Sequence, residues 1–155
     1  MKTKLIVCCC CISLLACGSK KKQPLCDFAF TYTMEVIQQY RVSFSFDSQK
    51  RFRTEIANHY MDKVENKRRP EIKAGRLTDE QFDRLKTLLE EADLPSMKED
   101  YGFDKHTQAS QDILVQLILT QGEEKKYISI LYNREQRFPP PFVRLMSELN
   151  RFLKR

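Results

Sequence analysis

Glu99, Asp100, Tyr101, Asp104, His106 and Asp112 are the densest run of chemically capable side chains in this chain of 155 residues. Oxygens converging on one point can hold a hard cation, and a carboxylate beside an imidazole can share a proton. The spacing matches no calcium loop, and acid–base work also requires shifted pKa values. The competing reading is a hydrated loop that leads into a strand, with Asp112 capping or pairing locally. Asp100, Asp104, His106 and Asp112 therefore stand as a candidate polar cluster, not as an assigned active site.

Other chemistry is sparse. Two histidines do not make a zinc site, and neither sits in a His-Glu-x-x-His spacing. His59 falls on the polar phase of its strand and His106 in a loop, so both read as surface residues. Gly75, Gly102 and Gly122 are too scattered for a phosphate-cradling loop or a nucleophile elbow. Cys26 has no neighbouring motif that would lower its pKa, and reads as a small buried or tether-flanking residue. No catalytic residue, metal ligand or cofactor follows from these patterns.

Two basic runs, Lys50-Arg51-Phe52-Arg53 and Lys67-Arg68-Arg69, look in isolation like nucleic-acid patches. Arg51 and Arg53, however, alternate with core-phase residues as an exposed strand face would, so a solvated face is the default. Such bases could also meet an anionic glycan; nucleic acid is not expected.

The first 19 residues carry an address. Met1-Lys2-Thr3-Lys4 is basic, Leu5 to Ala16 is an apolar run of 12 residues, and Leu14-Leu15-Ala16-Cys17-Gly18-Ser19 follows. A spanning helix needs about 20 apolar residues, so this run fits a signal core better than an anchor. The segment around Cys17 resembles the lipobox of bacterial lipoproteins, with Leu14 at −3 and Ala16 at −1. Leu15 at −2 is bulkier than the small residue usual there. The resemblance implies cleavage before Cys17 and acylation of its thiol, palmitate included; two or three chains would anchor the protein firmly. The alternative is an ordinary secretory signal cut at Ala16. Gly18, where an Asp tends to retain enterobacterial lipoproteins at the inner membrane, tilts the expected address to the outer membrane of the cell envelope.

Removing residues 1–16 leaves 139 residues, one domain's worth, with 25 bases against 21 acids. Cys8, Cys9, Cys10 and Cys11 leave with the signal. Only Cys17 and Cys26 survive, so the core must hold without a disulfide staple. Residues 17–26 read as a lipidated start and polar tether, whose Lys20, Lys21 and Lys22 either meet acidic head groups or are simply solvated. Residues 27–155 read as one domain.

Within that domain, Phe28, Phe30, Tyr32, Met34 and Val36 alternate with small or polar residues, as do Tyr40, Val42, Phe44 and Phe46. This period of two marks half-buried strands, with a turn at Asp47-Ser48-Gln49-Lys50. Phe52, Thr54, Ile56 and Tyr60 continue a third strand. Ile72–Leu77 is a weaker one, which Pro70 suits to an edge.

Thr78–Ala92 reads as a helix with a capping box to Gln81 and a staple of Leu77 on Phe82. Ile113, Val115, Leu117 and Leu119 mark a strand; Leu114 and Ile118 suggest that it is covered on both faces. A turn at Gln121–Glu124 leads to a strand from Lys126 to Tyr132, and a helix follows Pro139-Pro140-Pro141. The expectation is an α+β fold, order β-β-β-(β)-α-β-β-α: an antiparallel sheet of about five to six strands with two amphipathic helices on one face.

Gly75-Arg76-Leu77-Thr78, Tyr101-Gly102, Asp112 before a hydrophobic strand and a proline before the last helix also resemble a family of small bacterial lipoproteins. That family's domain has no known function, and the likeness spans roughly residues 44–155. It implies no chemistry. The expected role is a non-catalytic binding or assembly domain anchored through Cys17, with an envelope protein or anionic glycan as partner. The alternative is a small envelope enzyme or inhibitor using the Glu99–Asp112 segment.

Overall fold

The structure, a computed structural model, describes residues 24–36, 39–58, 69–103, 113–132 and 134–153. The leader, Cys17, His59, Tyr60, Lys67, Arg68, Asp104, His106 and Asp112 lie outside the described residues.

The alternating segments become strands β1 (Phe28–Val36), β2 (Tyr40–Asp47) and β3 (Arg51–Asn58), joined antiparallel. Strand β4 (Glu71–Arg76) pairs antiparallel with β3. Strands β6 (Ile113–Gln121) and β7 (Glu124–Leu131) form a second antiparallel hairpin, and β6 lies against β1. On the outer side of β7, β5 (Asp100–Tyr101) pairs parallel with it. The sheet order is β4-β3-β2-β1-β6-β7-β5. The fold is α+β, but its sheet has seven strands and is mixed, where an antiparallel sheet of five to six was expected. The extra strand is two residues long, too short to show a period.

Helix α1 (Asp79–Ala92) starts where its capping residues dictate. The Thr78 hydroxyl accepts from Gln81 N, and Gln81 Oε1 accepts from Thr78 N at 3.0 Å. Asp79 and Glu80 in the first turn complement the positive end of the helix dipole. Lys50 Nζ lies 2.9 Å from Asp79 and, by hydrogen bond and charge, lowers the Asp79 pKa from its ordinary value. Helix α2 (Pro140–Leu153) packs beside α1, and Arg84–Glu148 (2.9 Å) and Arg144–Glu91 (2.7 Å) bridge the two.

Both helices cover one face of the sheet, because a single core cluster takes in Phe82, Leu85 and Leu89 of α1 with Phe142, Leu145 and Leu149 of α2. Against them pack Phe28, Phe30 and Tyr32 of β1, Phe44 and Phe46 of β2, Leu117 of β6 and Ile128 of β7. The core reaches back to Leu25, inside the stretch read as tether; Leu25 N donates to Glu90 Oε1 at 3.2 Å.

Among the described residues, the other face carries no helix. Across it run Arg53, Ser45, Thr31, Ile118 and Tyr127 in one row, with Glu55, Ser43, Thr33, Gln116 and Ser129 in the next. Leu114 and Ile118 are half-buried there, so β6 is central, with no described helix over this face.

Tyr32 is fully buried, and its hydroxyl donates to Asn150 Oδ1 at 3.1 Å, tying β1 to α2. Burial first, and the Tyr40 charge second, push its pKa up to about 12. An unfolded tyrosine ionises near 10, so above that pH the unfolded chain holds fewer protons than the folded one. Stability should therefore fall as pH climbs from 10 towards 12. The loss is about 2 kcal/mol by the top of that window. Urea unfolding across this range should show a shallower fall in Tyr32→Phe; an identical slope would refute the assignment.

Candidate functional site

Of the cluster expected at Asp100, Asp104, His106 and Asp112, the described residues include Asp100 alone; the other three lie outside them. Asp100 is exposed on β5. Glu99 is exposed and lies 3.6 Å from Lys126 Nζ, while its carbonyl accepts from Ser129 N. Tyr101 turns inward: its ring meets Phe138 at 5.3 Å, and its hydroxyl accepts from Lys98 N at 3.1 Å. These three groups serve the β5–β7 seam and do not converge. Among the described residues, no group of three or more His, Cys, Asp or Glu is placed to hold a metal.

Cys26 is exposed with a free thiol, not buried. Arg51 and Arg53 lie exposed on the helix-free face as their alternation implied, paired with Asp47 at 2.7 Å and Glu55 at 3.2 Å. No described helix is long and apolar enough to cross a membrane.

What the fold does present is an edge. Strand β4 ends the sheet, and all six of its residues are exposed, Ile72 by 46%. Pro70 before it and Glu71, Lys73 and Arg76 within it are the residues natural edges use to discourage indiscriminate pairing. Among the described residues, neither helix packs closely on this strand. The last turn of α2 stops at Phe152 and Leu153, above Phe52 of β3.

A groove of about 200 Å³ opens there. Phe52, Thr54 and Ile56 form its floor and Phe152 and Leu153 its wall, with Glu71, Lys73 and Gln81 at the rim. Gly75 widens access: a Cβ at that position would meet the Phe52 ring at 3.1 Å. Phe52 is in turn held edge-on against Phe152 at 5.9 Å. An edge strand and an apolar recess therefore adjoin, offering backbone hydrogen bonds along a line and a place for a side chain beside it.

Two other hollows offer less. Between the helices a polar recess of about 550 Å³ is lined by Arg84, Arg144 and Arg151, but each guanidinium already meets a carboxylate. Near Asp27 and Asp47, a third hollow is closed by its own turn, in which Asp47 accepts from Gln49 N and Arg51 N.

The class defined so far is an α+β domain whose sheet, among the described residues, has one helix-free face and two edges: β4, and the part of β7 beyond its two-residue pairing with β5. No family model matches the chain, and no curated protein matches it either.

Proposed function

We propose that this chain is a lipid-anchored protein of the bacterial cell envelope, at the outer membrane, whose domain binds or assembles with a partner and does not catalyse. The address rests on the basic start, the short apolar run and the Leu14–Ala16–Cys17 pattern. The observation that carries the binding role is the open β4 edge backed by the groove between Phe52 and Phe152. No described arrangement of Glu99, Asp100 and Tyr101 favours the enzymatic alternative.

Between Cys17 and Pro24 run seven residue steps, which span at most about 25 Å when extended. Pro24 sits at the β1 start, where its carbonyl accepts from Gln121 Nε2 at 3.4 Å. On this reading the domain stays within a tether's length of the bilayer, and its partner is found in the envelope.

Labelled palmitate should enter the wild-type protein and not Cys17→Ser, and the variant should leave the membrane fraction. Crosslinking of the anchored protein in native membranes should return an envelope component in repeatable proportion. An unmodified Cys17 thiol in the intact mass would end the lipoprotein reading. The absence of any crosslinked component would end the binding one.

A further inference from the structure

The backbone phase of β4 follows from one hydrogen bond. Leu77 N donates to Lys50 O at 2.8 Å, continuing the register in which Arg51 faces Arg76. In an antiparallel ladder the bonded positions recur every second residue. Glu71, Lys73 and Gly75 therefore turn their N–H and C=O groups to β3, while Ile72, Ala74 and Arg76 turn theirs outward. That row fits an extended polypeptide; a glycan or a lipid head group has no matching ladder of amides.

The edge also carries an excess of base. Among the described residues, Arg51, Arg53, Arg69, Lys73 and Arg76 flank or lie on it against Asp47, Glu55 and Glu71; these acids pair with Arg51, Arg53 and Lys73, which leaves a net excess of two positive charges. A second copy pairing edge to edge would bring two such basic flanks together, which disfavours it. An acidic strand gains from the same field.

Resting on the binding role above, we infer that the β4 edge and its groove dock an extended, acidic polypeptide segment of another envelope protein, with an apolar side chain seated against Phe52. Side chains on the added strand alternate between faces. Positions opposite Ile72, Ala74 and Arg76 point to the helix-free face, beside Arg53 and Arg76, and carry the acids. Positions opposite Lys73 and Gly75 point to the helix side, where Gly75 leaves the Phe52 ring uncovered, and carry the apolar groups.

The test titrates the detergent-solubilised, full-length anchored protein with a short fluorescent peptide of alternating glutamate and valine around a central phenylalanine. Binding should be saturable. Ala74→Pro, which removes an outward N–H without touching the β3 ladder, should weaken it at least about tenfold, the equivalent of roughly 1.4 kcal/mol. The paired reversal Lys73→Glu with Arg76→Glu should weaken it similarly, while the lysine-for-glutamate peptide should not bind the native protein. N-methylating the peptide's pairing amides should abolish binding with the protein untouched, which keeps the test sound if Ala74→Pro folds badly. Equal binding of the N-methylated peptide, or equal displacement by dextran sulfate and by anionic vesicles, would overturn the strand pairing in favour of a simple polyanion surface.

In native membranes, a photoactivatable side chain replacing Ile72 should capture an acidic protein segment. Capture from position 127 on the open face but not from 72 would overturn this inference and leave the binding role standing. Capture from neither would overturn both, and a crosslinked dimer from 72 would replace the acidic partner with a second copy.

Discussion

Phe44→Ala should lower the stability of the domain by about 3–5 kcal/mol, the cost of emptying a large, fully packed ring site. Phe44 has no exposed surface. Its ring lies 4.8 Å from Phe152 and 5.8 Å from Phe46, so it links the middle of β2 to the last turn of α2. A domain of this size holds about 5–15 kcal/mol in total, so this loss brings it near unfolding. In guanidinium the midpoint should drop with little change in slope, because the surface exposed on unfolding is nearly the same. Phe103→Ala, at a ring 48% exposed, should stay within about 0.5 kcal/mol. A Phe44→Ala loss below about 1 kcal/mol would mean that α2 does not seat on β2 as described. Because Phe152 also walls the groove, the same variant should blur peptide binding even under conditions where the domain stays folded.

The elements that write themselves locally were legible. Aromatic alternation placed β1 and β2, and Thr78 with Gln81 placed the start of α1, because a strand's period and a helix cap are local features. Pro70 correctly sent β4 to an edge. Strand β5 was not legible. Two residues have no period, and its pairing depends on Ser129 N reaching Glu99 O across thirty positions of chain.

Leu114 and Ile118 are ambiguous for a different reason. They have cross-strand neighbours, Leu131 beside Leu114 and Tyr127 beside Ile118, and no described helix lies over them. Cross-strand shielding and a covering layer ask for the same residue types. The groove could not be read from spacing at all. Phe52 and Ile56 meet Phe152 and Leu153 only because α2 runs back across the sheet and stops at β3. The acidic run at Glu99–Asp112 attracted notice as a cluster in sequence, whereas its described members point to separate partners. Proximity along a chain says little about convergence when a strand lies in the middle, since successive side chains leave it on opposite faces.

Gly102→Ala should cost about 3 kcal/mol or more, from two effects that add at one position. The first is backbone conformation: φ is +84°, a region costly for any residue with a Cβ. The second is space, since an added Cβ would run into the Leu131 carbonyl and the Gln136 amide, which are themselves hydrogen-bonded at 3.0 Å. A flexible side chain could swing away, but the carbonyl belongs to β7 and cannot move without breaking the seam with β5. Gly122 supplies the control. Its φ is +59°, yet nothing lies within 4 Å of an added Cβ. Gly122→Ala should therefore lose only the conformational part, about 1 kcal/mol, and Gly122→Asn less, because Asn tolerates the left-handed region. Thermal and denaturant unfolding of the three variants separates strain from crowding. Equal losses at Gly102 and Gly122 would show that the carbonyl is not the obstacle, and that the tight turn after β5 is looser than its geometry indicates. A large loss confined to Gly102 ties the Glu99–Phe103 segment to β7 as a structural brace, which is a sufficient reason for its acids to sit where they do.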